Sequence, residues 1–207
     1  MKPKLHSQKR NTRTGTLELV RLMFYAVKKP TGISSNLVAK ILKRVLCVEK
    51  IGFTGTLDPL ASGLMIIGTN GTPRLFPMME YMSKTYQTTL RLDGTTTSYD
   101  LEQPVIPSVL SQKHITTITD DVIRAILLKF FTGHIEQVPP QYSAVWVNGR
   151  RAYNLARSGQ IAELKSKQRE IFSIEILSYI WPRLILKLCV SHGTYIRSIA
   201  RDLGEKL

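Results

Sequence analysis

The chain has 207 residues, 43% of them hydrophobic, which is enough for a packed core without disulfide or metal staples. Lys and Arg number 29 against 15 Asp and Glu, a formal net charge of +14, and this balance favours a phosphate backbone as partner. Two cysteines, Cys47 and Cys189, fit neither a disulfide framework nor a CxxC metal site, which points to a reducing compartment and away from zinc, and no apolar run reaches the roughly 18 residues that cross a bilayer.

The first 16 residues form a basic tail whose plain reading is a solvated terminus and whose alternative is an RNA-gripping arm. Leu17 to Val27 is apolar but interrupted by Glu18 and Arg21, so it reads as a first strand and not as a signal segment. Leu37, Val38, Ile41, Leu42, Val45 and Leu46 then recur at helical spacing after the capping candidates Ser35 and Asn36, with Lys40, Lys43 and Arg44 on the other side. Leu64 to Gly68 is short and apolar enough for a buried strand. Thr85 to Leu92 alternates, placing Tyr86, Thr88, Leu90 and Leu92 on one face.

Residues from Pro104 to Thr119 form the longest irregular connection, yet strong elements resume after it, so the pattern implies one domain. Asp120 to Phe131 reads as a second amphipathic helix, ended by Gly133. Ala144 to Val147 enters an Asn148-Gly149 type I′ turn, and Ile171 to Ile180 and Leu184 to Val190 form two further strands around Trp181-Pro182-Arg183. A last helix starts near Thr194. Interleaved strands, hairpins and helices predict an α+β fold with a mixed, mostly antiparallel sheet flanked by helices.

Four segments carry the candidate chemistry. Gly52-Phe53-Thr54-Gly55-Thr56-Leu57-Asp58-Pro59-Leu60-Ala61-Ser62-Gly63 sets one carboxylate among glycines, on a turn that Pro59 biases away from helix. Lys28-Lys29-Pro30-Thr31-Gly32-Ile33-Ser34-Ser35 is a basic turn opening onto a helix N-terminus, a setting that favours phosphate. Val138-Pro139-Pro140-Gln141-Tyr142-Ser143-Ala144, with Gly149 to Arg157 after it, interleaves aromatic and cationic side chains as RNA-contacting surfaces do. Gly193-Thr194-Tyr195-Ile196-Arg197 puts a tyrosine and an arginine at a helix start. Each has a plain reading: Asp58 as a helix cap, Tyr86 as a core tyrosine, Arg197 as a surface arginine, Tyr195 as a core contact.

In this order and spacing, GFTGTLDPLASG, KTYQTTLRL, QVPPQYSAVWVNGRRAYNLAR and GTYIRSIARDLGEKL resemble the TruB family of tRNA pseudouridine synthases, over about Val27 to Leu207. The resemblance implies the pseudouridine synthase fold over residues 17–207 and isomerisation of a uridine in the T-loop of tRNA. Asp58 matches the catalytic aspartate needed to break the bond between ribose C1′ and uracil N1, whether by covalent attack, by stabilising charge or by removing a C2′ proton. Arg197 matches an arginine that pairs with that aspartate, Tyr86 a tyrosine that stacks on the flipped base and helps remove its C5 proton, and Tyr195 another uridine contact. Phe53, Gly55, Lys29 and Arg151 are the further substrate-binding candidates, and Asp100 falls where the family places a supporting acid. The family usually has histidine where this chain has Phe53, which keeps a stacking face but loses hydrogen bonds.

Because product and substrate are isomers, the resemblance implies no cofactor and no metal. It implies the T-arm of tRNA as partner, no membrane, no required protein partner, a monomer, and a cytoplasmic setting. Family members continue beyond the position of Leu207 with a further strand and helix and a small PUA-like RNA-binding domain, so the expectation is a C-terminally incomplete catalytic domain. Two other readings stay open: a guide-dependent or broader-specificity synthase, and a non-catalytic tRNA-binding or folding module.

Overall fold

The computed structural model describes residues 23–207 except 80 and 111; the expected basic tail and the start of the expected first strand lie outside the described residues. The chain divides into two compact units, the first running to Glu80 and the second from Tyr81 to Leu207.

In the first unit, strands β1 (Phe24–Lys29), β2 (Ile51–Thr54) and β3 (Gly63–Thr69) form an antiparallel sheet in the order β1-β3-β2. Helix α1 (Ser35–Val45) packs Val38 and part of Leu42 against a small core built on Met65 and Ile67, and Ala39 is buried beside them in sequence. The apolar stripe is therefore rotated from the expected one: Ser35, Val38 and Ala39 are buried, while Leu37, Ile41 and Val45 are exposed. The helix cap also moves by one residue. Ser34, in extended conformation, accepts a hydrogen bond from the Leu37 amide, which frees Ser35 to turn inward.

Beyond β3, a 3-10 turn (Thr72–Leu75) and the short helix α2 (Phe76–Met79) lie on the sheet. Gly52 and Gly68 are cross-strand partners, and a Cβ on either would fall within 3.0 Å of Pro73, Thr72 or Phe76 atoms. The missing side chains are thus what allow the turn to seat on the strands.

The second unit is built on an antiparallel sheet in the order β4-β11-β10-β7, from β4 (Lys84–Arg91), β7 (Gly133–Gln137), β10 (Lys167–Ile180) and β11 (Arg183–Val190). Leu184, Leu186, Leu188 and Val190 alternate inward along β11, each at most 1% exposed, and each stabilises the fold by about 1.5–3 kcal/mol. Tyr86 lies opposite Leu188, so strand register alone puts it on the core face, as the alternation predicts.

Helix α4 (Asp120–Phe130), capped by the Thr119 hydroxyl, and helix α6 (Ile196–Lys206) cover that face with Ile123, Leu127, Ile199 and Leu203. Gly133 does not cap α4; Phe131 does, and Gly133 uses its positive φ to enter β7. The expected irregular connection carries β6 (Ile106–Pro107), paired with β5 (Gly94–Thr95), and helix α3 (Gln112–Thr117). Asn148 and Gly149 take the positive φ angles of a I′ turn between β8 (Trp146–Val147) and β9 (Arg150–Arg151), followed by helix α5 (Ala152–Arg157).

Candidate active site

The first unit carries Lys29, Phe53, Gly55 and Asp58; the second carries Tyr86, Arg151, Tyr195 and Arg197. Asp58 sits half-buried on the loop between β2 and β3, and the backbone on either side of it is tied to another part of the unit. Before it, the Ser35 hydroxyl both donates to the Leu57 carbonyl (2.9 Å) and accepts from the Leu57 amide (3.0 Å). After it, the Pro59 carbonyl accepts from the Gly32 amide (2.8 Å) and from Lys29 Nζ (3.0 Å). The Asp58 carbonyl itself closes a turn with the Ala61 amide at 3.0 Å. A carboxylate on backbone held at both neighbours keeps its direction without help from a ligand.

Lys29 departs from its expected phosphate-binding part. Its side chain is fully buried, and Nζ donates to the carbonyls of Pro30 (2.9 Å), Ile33 (2.7 Å) and Pro59 (3.0 Å), which accounts for the three hydrogens of an ammonium. No donor is left for a phosphate. Burial pushes the Lys29 pKa below its ordinary value, and the negative field of Asp58 opposes that push. The lysine therefore acts on the loop that bears the carboxylate: it braces that loop and contributes positive charge to it.

Gly55 has φ +75° with nothing within 4 Å of where a Cβ would stand, so glycine is required there by conformation and not by crowding. Phe53 lies on β2 opposite Ile67, with its ring packed partly against the core of the first unit.

In the second unit, Arg197 occupies the first turn of α6. Its Nη1 donates to the Ser98 carbonyl (3.0 Å) and Nη2 to the Tyr142 carbonyl (3.1 Å), while Nε lies 3.7 Å from Asp100 Oδ2. One guanidinium thus joins the helix, the 96–100 turn and the PPQYSA loop. Asp100 organises the turn in the way its supporting reading implied: Oδ1 accepts from the Ser98 hydroxyl (2.6 Å) and the Glu102 amide (3.0 Å), and its carbonyl accepts from Thr96. Tyr195 is the residue before α6, and its amide and carbonyl are both engaged by the Gln137 side chain. Arg151 stacks over Trp146, 4.2 Å from the ring centroid, and bonds the Ala144 carbonyl; Arg157 lies over Tyr153 at 4.7 Å. Trp146 is 61% exposed, so cationic and aromatic groups share one solvent-facing hairpin.

Ser35 and Gln137 escape sequence reasoning. Their partners lie 22 and 58 residues away, and Ser35 beside Ser34 reads as a cap. Among the described residues no cluster of His, Cys, Asp and Glu could hold a metal ion, and no helix is long and apolar enough to cross a membrane.

Residues 43–196 match the model described as TruB family pseudouridylate synthase, N-terminal domain. The chain belongs to the TruB family. The matched span holds Asp58, Tyr86 and Tyr195. A relative from Campylobacter concisus named tRNA pseudouridine synthase B is 41% identical over 183 residues, which are 88% of this chain and 65% of that protein. One of the same name from Bacteroides fragilis is 44% identical over 185 residues, 86% of this chain and 77% of that protein. The chain thus spans about two thirds to four fifths of the length of these TruB relatives.

Among solved structures, a Cbf5-Nop10-Gar1 complex contains a chain with 25% identity and a TM-score of 0.66 that matches 92% of this chain and 46% of its own length. A Nop10-Cbf5 complex matches with a TM-score of 0.61 at 24% identity. The α+β fold, with antiparallel sheets flanked by helices, is therefore the pseudouridine synthase fold that the sequence resemblance implied.

Proposed function

We propose that this chain is a stand-alone tRNA pseudouridine synthase that isomerises the T-loop uridine, with Asp58 as the catalytic carboxylate. The observation that carries the reading is the Asp58 loop: a carboxylate in a chain of net charge +14, on backbone pinned at Leu57 and Pro59 before any substrate arrives. Such pinning suits a group that must meet one sugar carbon at one angle.

In this reading the target uridine leaves its stack, at a cost of a few kcal/mol that aromatic stacking and phosphate contacts offset. Asp58 acts at the ribose C1′ centre as the bond to uracil N1 breaks. The uracil turns, C5 bonds to C1′, and the C5 proton leaves to solvent while N1 is protonated, so atoms balance with no co-reactant. Tyr86 stacks on the base and assists removal of the C5 proton, Tyr195 contacts the same uridine, and Arg197 supplies compensating positive charge. Phe53 offers a stacking face, the Gly55 backbone allows close approach, and Arg151 with Trp146 offers a cationic, aromatic surface to the T-arm. The protein works as a monomer in the cytoplasm without a protein partner. The names of the Campylobacter and Bacteroides relatives favour tRNA as substrate over a guide-dependent assembly of the Cbf5 kind.

Tritium release from T-arm RNA labelled at uridine C5 tests the reading at one fixed salt concentration. Release by wild type and none by Asp58→Asn is the expected result. Binding of the RNA without release by wild type would replace the synthase with a tRNA-binding or folding module. Release only when guide RNA and protein partners are added would favour the guide-dependent reading.

A further inference from the structure

Helix α6 begins at a residue that matters to the proposed chemistry, yet it lacks the usual devices for fixing a helix start. Tyr195 has no side-chain hydrogen bond to the first turn, and no acidic residue stands there. Instead the Gln137 carboxamide bonds the backbone on both sides of the Tyr195 Cα: Nε2 donates to the Tyr195 carbonyl at 3.1 Å, and Oε1 accepts from the Tyr195 amide at 2.8 Å. With one donor and one acceptor facing it, the amide has a single satisfied orientation. Gln137 is the last residue of β7 and 1% exposed, so water does not compete for either bond.

The contacts around this pair tie the β7 exit to α6 and the turn before α6 to β10. The Ser198 hydroxyl, itself fully buried, donates to the Val138 carbonyl at 2.8 Å, and Arg201 Nη2 donates to that carbonyl at 3.1 Å. On the other side Arg169 Nε donates to the Gly193 carbonyl at 3.0 Å, with its guanidinium so close that a Cβ on Gly193 would stand 3.1 Å from Nη2. Tyr195 lies between these ties, and among the described residues only Gln137 bonds both its amide and its carbonyl, the carbonyl also accepting from the Ile199 amide at 3.2 Å.

We propose that Gln137 is a positioning residue: its carboxamide sets the backbone of Tyr195, and so the direction of the Tyr195 side chain toward the uridine and the entry of Arg197 into α6. The inference rests on the uridine-contacting part given to Tyr195 above. It explains why a neutral amide stands there. An ionised glutamate of the same shape could still accept from the Tyr195 amide, but its second oxygen would face the Tyr195 carbonyl and repel it. A protonated glutamate would restore both bonds.

Gln137→Glu therefore carries its own switch. Burial raises the pKa of the introduced carboxyl, so the variant should match wild type at the acid end of the accessible range and fall behind as pH rises. The readout is kcat for tritium release relative to wild type at each pH, at a temperature where circular dichroism shows both proteins folded. A ratio falling with pH by on the order of 10- to 100-fold supports the clamp. Gln137→Met, which fills similar space without either bond, should show a comparable loss at every pH with little change in KM. In 15N-tyrosine-labelled protein the Tyr195 amide resonance should titrate in Gln137→Glu and stay fixed in wild type.

A flat ratio for the glutamate variant, or wild-type kcat for the methionine variant, overturns the proposal. So does a Tyr195 resonance that ignores the protonation of residue 137. If wild type releases no tritium while that resonance titrates, the synthase reading has failed and the backbone clamp has not.

Discussion

Two loops in this molecule hold their candidate site residues by different means. The Asp58 loop in the first unit is held by a hydroxyl and a buried ammonium; the Tyr195 turn in the second is held by a neutral carboxamide. In both, a side chain from a distant part of the same unit bonds peptide groups adjacent to, or at, the candidate residue. The difference lies in charge. The ammonium braces the Asp58 loop and also places a positive group in its field, at the cost of burying an ion. The carboxamide orients without adding charge, beside a helix whose second residue, Arg197, is already cationic.

Removing each brace in turn would sharpen that contrast. The largest effect is expected from Lys29→Met. Three carbonyls lose a donor and a buried side chain changes character, so stability should fall by about 3 kcal/mol in urea unfolding, and kcat should fall with the loosened Asp58 loop. A loss confined to stability would mean that the ammonium serves folding alone.

Next comes Ser35→Ala, which removes both bonds to Leu57 and is expected to cost about 2 kcal/mol and to lower kcat more than it raises KM. Its neighbour is the natural control. Ser34→Ala deletes only a helix cap, so it should cost about 1 kcal/mol and leave kcat per folded molecule unchanged. Equal kinetic effects from the two serines would sink the distinction between cap and clamp.

The smallest signal is a slope. Because the folded pKa of Lys29 lies below its ordinary 10.5, the unfolded chain binds more protons in the window that ends near 10.5. Stability contributed by this residue must then rise with pH across that window, and the rise should disappear in Lys29→Met. Chemical unfolding at stepped alkaline pH measures it.

The sequence made some of this visible and hid the rest for definable reasons. Tyr86 on a core-facing register, the Asn148-Gly149 turn and the α1 helix all follow from local pattern, and the structure agrees. Lys29 does not, because a lysine beside Pro30 and Gly32 looks solvent-facing until the Pro59 carbonyl, 30 residues on, is brought to it. The division into two units is equally hidden, since no linker composition marks Glu80 and Tyr81. The rotated stripe of α1 buries Ser35 and Ala39 and exposes Leu37, Ile41 and Val45, which a hydrophobicity pattern ranks the other way. Local periodicity reports which residues want burial; only the assembled strands decide which of them get it.

The glycine pair at 52 and 68 has a bearing on how variation in this protein should be read. Neither position tolerates even a methyl group without displacing Pro73, Thr72 or Phe76, and β2 runs from Gly52 directly into Phe53, Thr54 and the Asp58 loop. In a saturation-mutagenesis map scored by activity, both glycines would therefore register as strongly as the proposed catalytic Asp58, through packing alone. Such a map would mark a packing position as strongly as the proposed catalytic one, and only a parallel measurement of folded protein would tell the two apart.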